Sequence, residues 1–216
     1  GQSALAYNTT GNTNIAIGED SLLVNTTASS NTAIGHQSLR NTTASNNTAV
    51  GYQAGYSNTT GTQNVVMGRG AMHSNSTGSY NVGLGYEALV SNTTASNNTA
   101  VGYQAGYTNT TGTELTFFGY KAGANTTGSY NTYVGSQTGI TNTSGTGNTA
   151  IGWGAISSSS GATDNTAVGY GAGSSITTGS KNTIIGRYNG NQGGLNIQTS
   201  SNNIVLSDGD GNVRAH

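Results

Sequence analysis

The chain has no cysteine and no proline in its 216 residues. Without cysteine there is no disulfide framework, no thiolate zinc site and no thiol nucleophile. Charge is nearly missing as well. Six Lys and Arg against seven Asp and Glu leave a net charge of −1, and 6% of residues are charged, where an ordinary domain carries about a quarter. No basic patch is available for nucleic acid. No apolar run approaches the roughly 20 residues of a membrane-inserted helix, and no stretch has the pattern of a signal peptide.

Four small or polar residue types fill the space. Gly, Thr, Asn and Ser number 35, 35, 28 and 25, more than half the chain. Taken unordered, such a composition suggests disorder. The order says otherwise. An apolar residue followed by Gly recurs at Gly18, Gly35, Gly51, Gly68, Gly85, Gly102, Gly119, Gly135, Gly152, Gly169 and Gly186, always 16 or 17 residues apart. Gly1 lies one interval upstream, so the chain opens in mid-repeat and is expected to be a processed product or a window from something longer.

The repeat has columns. The residue before the Gly is apolar (Ile17, Ile34, Val50, Met67, Leu84, Val101, Phe118). Asn stands four before it at Asn14, Asn31, Asn47, Asn64, Asn81, Asn98, Asn131, Asn148, Asn165 and Asn182, with Leu115 the exception. An aromatic often follows it: Tyr52, Tyr86, Tyr103, Tyr120, Trp153 and Tyr170. A second Asn precedes the Gly by ten and opens N-T-T, N-S-T or N-T-S at Asn8, Asn25, Asn41, Asn58, Asn75, Asn92, Asn109, Asn125 and Asn142. The two shorter repeats lose their residue at one place, placed here just before Asn41 and Asn125, which reads as a loop or corner.

A 17-residue unit rich in poor helix formers excludes helical repeats. N-T-A-I-G-Y alternates like a strand, and the stretch around Q-A-L is a candidate second strand. The expectation is an all-β, parallel β-solenoid (β-roll) of about twelve 16–17-residue coils. It assigns residues 1–190 to the repeat rod and 191–216 to a transition into a following domain, with the intact protein continuing past His216. Ile17, Ile34 and Val50 would form an internal ladder, and Asn31, Asn47, Asn64, Asn81, Asn98, Asn131, Asn148, Asn165 and Asn182 another, their amides bonded along the stack. Ala54, Ala71, Ala88, Ala105 and Ala122 would fill a thin core that needs the stack, or other chains, for stability. The Tyr columns are a candidate seam between subunits.

Asn31-Thr-Ala-Ile-Gly35, Asn47-Thr-Ala-Val-Gly51, Asn148-Thr-Ala-Ile-Gly152 and Asn165-Thr-Ala-Val-Gly169 resemble the head repeats of YadA-type trimeric autotransporter adhesins and the N-T-A-I-G-Y-Q-A repeats of phage tail fibres. The resemblance implies a left-handed β-roll wound as a trimer, displayed outside a bacterial cell or virion, with adhesion as its role. The tail from Asn202 to Arg214 resembles the segment that follows such repeats in tail-fibre proteins.

For sites, no catalytic constellation stands out. His36, His73 and His216 do not recur with carboxylates, Glu19 and Asp20 are neighbours and so lie on opposite faces of any strand, and no cofactor is implied. Asp208, Asp210 and Asn212 have the D-x-D-x-N spacing of a calcium loop without its bidentate Glu; the alternative is a D-G turn between strands. The nine N-T-T asparagines, with Asn46 and Asn97, are N-x-[ST] sequons. They are either glycan acceptors or turn chemistry. Tyr52, Tyr86, Tyr103, Tyr120, Trp153 and Tyr170 either stack on sugars or pack between coils. The functional expectation is a non-enzymatic extracellular fibre that is structural and adhesive, a homo-oligomer (trimer or fibril) with surface glycans or a cell-surface receptor as partner. The alternatives are a self-assembling fibril subunit and an ice-binding solenoid.

Overall fold

A computed structural model describes residues 1–216. The chain is all-β, without helix, and is a parallel β-solenoid of about eleven turns. Residues 1–14 form turns, and the first strand begins at Ile15.

Two compact units divide it, Gly1–Thr113 and Glu114–His216. The first holds β1 (Ile15–Ile17), β2 (Thr32–Ile34), β3 (Thr48–Val50), β4 (Val65–Met67), β5 (Val82–Leu84) and β6 (Thr99–Val101), each paired in parallel with the next. The second holds β7 (Thr116–Phe118), β8 (Thr132–Val134), β9 (Thr149–Ile151), β10 (Thr166–Val168) and β11 (Thr183–Ile185), in the same parallel register. It continues with a hairpin, β12 (Asn191–Gln192) and β13 (Leu195–Asn196), then β14 (Ile204–Ser207) and β15 (Val213–Ala215). Parallel pairing therefore runs past residue 190: β14 pairs with β11, Thr183 opposite Ile204. The hairpin is an excursion within that last coil, held where the Tyr188 hydroxyl donates to the Leu195 carbonyl at 2.8 Å.

Each strand is short because the repeat glycine ends it. Gly68 has φ +128°, and a Cβ there would sit 2.4 Å from the Gly85 carbonyl oxygen and 2.6 Å from its carbon. The coils approach backbone to backbone at this column, so no side chain fits.

After the glycine comes a run of turns, not the second strand expected around Q-A-L. Gln37 and Leu39 have φ of 58° and 46°, and Glu87 and Leu89 of 53° and 51°. Alternate left-handed residues cannot extend. Each costs about 1–2 kcal/mol for a residue with a Cβ. Hydrogen bonds to the coils on both sides fix them: Gln37 N–H donates to Glu19 O at 2.8 Å, and Leu39 N–H to Ala54 O at 3.0 Å.

The core column is the middle residue of each strand. Ala33, Ala49, Val66, Ala100, Phe117, Tyr133, Ala150, Ala167 and Ile184 are fully or almost fully buried, as are Ala54, Ala71, Ala88, Ala105 and Ala122. The expected internal ladder of Ile17, Ile34 and Val50 is overturned. Ile17 is 57% exposed, Met67 50% and Phe118 56%, and Ile34 and Val50 are partly exposed. Strand parity gives the reason. Asn14 and Ala16 share a face, so Ile17, three residues from Asn14, must face the other way.

Two glycines of the facing column make room for large strand residues. A Cβ on Gly123 would meet the Phe117 ring at 2.6 Å, and one on Gly139 the Tyr133 ring at 2.3 Å. The two rings stack at 5.3 Å. Burial pushes the Tyr133 phenol above its ordinary pKa, and Asn142 Nδ2 donates to its oxygen at 2.5 Å.

Candidate functional site

Both asparagine columns are inside. In the first, Asn64 N–H donates to Asn47 Oδ1 at 3.0 Å and Asn81 N–H to Asn64 Oδ1 at 2.9 Å, while Asn64 Nδ2 donates to Gly78 O at 2.9 Å. In the second unit the chain of bonds runs from Asn131 through Asn148, Asn165 and Asn182 to Asn203. Each side chain thus closes a backbone donor and a corner carbonyl that would otherwise be buried without partners. Leu115, buried, takes the asparagine's place in its coil.

The N-T-T column corrects the glycan-acceptor reading at six of its nine asparagines. Asn25, Asn58, Asn75, Asn92, Asn109 and Asn142 are buried. Asn75 Nδ2 donates to Asn58 Oδ1 at 2.8 Å and to Gly78 O at 2.9 Å, and Asn92 repeats the pattern. Half-buried Asn8 donates to Gly11 O and accepts from Asn25. An amide nitrogen spent on two carbonyls in a packed interior has no room for a sugar.

Asn41 and Asn125 depart from the column, and they relocate the missing residue. The buried place in their coils belongs to Thr42 and Thr126, and Asn58 Nδ2 donates to Thr42 Oγ1 at 3.1 Å. The shortening therefore falls after Thr42 and Thr126, not before Asn41 and Asn125. Asn41 is left half-buried and Asn125 exposed. The first shortening leaves two buried atoms unpartnered, Asn25 Oδ1 and Asn31 Nδ2.

Aromatic residues after the glycine stack on one another along the coils. His36 lies on Tyr52 at 5.4 Å and Tyr86 on Tyr103 at 5.2 Å, with the Arg69 guanidinium 5.6 Å from the Tyr52 ring and 5.3 Å from Tyr86. In the second unit Trp153 stacks on Tyr170 at 4.8 Å, Arg187 covers Tyr170 at 5.0 Å, and the Lys121 ammonium lies 5.5 Å from the Tyr120 ring. Ring faces are turned along the stack, and the edges meet solvent. Outside this column, His73 stacks on Tyr56 at 5.1 Å.

The D-x-D-x-N segment is a turn between β14 and β15. Asp208 Oδ1 accepts the N–H of Asp210 at 3.0 Å and of Asn212 at 2.9 Å, and Oδ2 is paired with Arg214. Desolvation pushes the Asp208 carboxyl up. Hydrogen bonds from Asn212, Arg214 and the Asp210 amide outweigh that and hold it down at about 2. Of the calcium candidates Asp208, Asp210 and Asn212, the Asp208 carboxylate is thus committed to the turn and to Arg214. Glu19 and Asp20 likewise face separate partners, His36 and Arg40.

The residues that the sequence reading missed as surface are the outward ones of each strand. Ile15, Ile17, Ile34, Val50, Val65, Met67 and Leu84 line one face of the first unit, and Phe118, Val134, Ile151, Val168 and Ile185 line one face of the second. The buried asparagine, at fixed parity, was the signal that could have placed them. Comparison of the chain with protein families, with characterised proteins and with solved structures finds no match.

Proposed function

We propose that the chain is a segment of a non-enzymatic extracellular fibre, structural and adhesive, that assembles with copies of itself as a homotrimer. One observation carries the proposal: the continuous outward face of Ile, Val, Met, Leu and Phe on the strands of each unit. Contiguous apolar patches beyond a few hundred Å² mark interaction surfaces, and copies of this chain offer the same aliphatic column in the same register. The near absence of charge supports this assembly, since no like-charge repulsion opposes close approach. Attachment to glycans or a cell-surface receptor would then gain from repetition, through avidity.

Negative-stain microscopy of the purified chain tests the reading. Discrete particles of uniform length are expected. Open filaments of indefinite length would replace it with the self-assembling fibril.

A second reading has its own observation. Thr116, Thr132, Thr149, Thr166 and Thr183 stand in register on one strand face, spaced by about 4.8 Å, a regular hydroxyl array suited to ice. Thermal hysteresis of a solution of the chain would favour it; none would remove it.

A further inference from the structure

The repeat pattern ends where the side chains change character. Beside the last coils of the second unit lies an open cleft of about 300 Å³ lined by Trp153, Tyr170, Arg187, Asn189, Gln192 and Asp210, among others. We propose that this cleft binds a single pyranose unit of a neutral glycan. The proposal deepens the adhesive reading above and rests on it for the class of partner.

Three separate pieces of chain build the cleft. Trp153 and Tyr170 belong to the aromatic column. Arg187 follows Gly186 in that same column, where most earlier coils carry a ring, and its guanidinium lies 5.0 Å from the Tyr170 ring. Gln192 comes from the β12–β13 hairpin, the one excursion from the coil path, and Asp210 from the turn between β14 and β15. Gln192 Nε2 donates to the Asp210 carbonyl at 2.9 Å, which ties the hairpin to the turn and fixes the wall before any ligand arrives.

The two charged side chains there are not consumed by the fold. Neither Arg187 nor Asp210 takes part in an ion pair; the nearby Arg214 is taken by Asp208. Arg187 makes one long bond, Nη1 to Gly209 O at 3.5 Å, so most of its five N–H donors remain free. A carboxylate and amide oxygens accept from hydroxyls, a guanidinium and amide nitrogens donate to them, and the exposed edges of Trp153 and Tyr170 give the sugar ring an apolar contact. One cation and one anion leave the wall near neutral, which favours an uncharged sugar. A volume near 300 Å³ is at the small end of ligand clefts, suited to one ring rather than a long oligosaccharide.

Trp153 is the chain's only tryptophan, so its fluorescence reports on this cleft alone. The probes are methyl β-glucoside, methyl β-galactoside, methyl α-mannoside and N-acetylglucosamine, titrated into the full chain. At least one is expected to change Trp153 emission saturably, with a Kd of about 1 mM. Arg187→Gln and Asp210→Asn, each with unchanged emission and circular dichroism before sugar is added, are expected to weaken that binding about tenfold or more. Ligand-observed NMR on Trp153→Phe gives a readout that needs no tryptophan, and weaker binding is expected there too. No response to any sugar overturns the proposal, as does a response that survives both polar substitutions unchanged. Native mass measured on the same samples separates this failure from that of the fibre reading: an empty cleft in an intact trimer sinks only the cleft.

Discussion

Asn47 accepts the backbone N–H of Asn64 on its side-chain oxygen at 3.0 Å, one coil away along the stack. Asn64 repeats the act for Asn81 and caps Gly78 O with its amide. Replacing Asn64 with Ala leaves a buried donor and a buried acceptor without partners, at about 2–4 kcal/mol together. The urea midpoint of Asn64→Ala is expected to fall well below that of the wild-type chain, and that of Asn97→Ala, at an exposed site with φ 62°, to fall less, reflecting about 1 kcal/mol for the left-handed backbone.

Glycines of the repeat fall into two kinds, and alanine tells them apart. At Gly68 a Cβ meets the next coil's backbone at 2.4 Å, whereas at Gly154 nothing lies within 4 Å. Gly68→Ala is expected to cost about 3 kcal/mol or more. Gly154→Ala, with φ +61°, should cost only about 1 kcal/mol for the left-handed backbone. Thermal unfolding of the two variants measures the gap.

Acid should loosen the end of the second unit first. The Asp208 pKa is held at about 2 in the folded chain, below the roughly 3.9 of a free carboxyl. A depressed carboxyl contributes stability that is full above pH about 4 and lost as pH falls through about 2. The Asn212 amide resonance is expected to titrate with a midpoint near 2 in the wild type and to show no such step in Asp208→Asn.

Sequons divide by burial. Expressed in a host that glycosylates asparagine, the chain is expected to remain unmodified at Asn25, Asn58, Asn75, Asn92, Asn109 and Asn142, all buried. Modification is confined to the more accessible sequons Asn8, Asn41, Asn46, Asn97 and Asn125. Peptide mass mapping reads each site separately.

Much of this architecture was legible in the spacing. The interval between Gly35 and Gly51 is the register of β2 on β3, Thr32 opposite Thr48, because coils that stack in register must repeat in sequence. What misled was hydrophobicity. Ile17 looked like core and Ala16 like filler, yet parity with the buried asparagine, not side-chain size, decides which of them faces in. Composition also could not reveal that Leu39 adopts φ 46°, since only the hydrogen bonds from neighbouring coils make that backbone tolerable. The Trp153–Arg187–Asp210 cleft was hidden for a different reason: its Gln192 and Asp210 wall comes from segments that break the period, and a repeat pattern cannot register them.

The central claim is that the outward aliphatic face of the strands joins copies of the chain. Sedimentation equilibrium of the wild-type chain and of Met67→Lys tests it directly. The wild type is expected at three times the chain mass of 21.6 kDa, and Met67→Lys, which touches an exposed side chain, at 21.6 kDa with its β-sheet circular dichroism intact. A wild-type chain that sediments as a monomer at high concentration, or a Met67→Lys chain that stays trimeric, would contradict it.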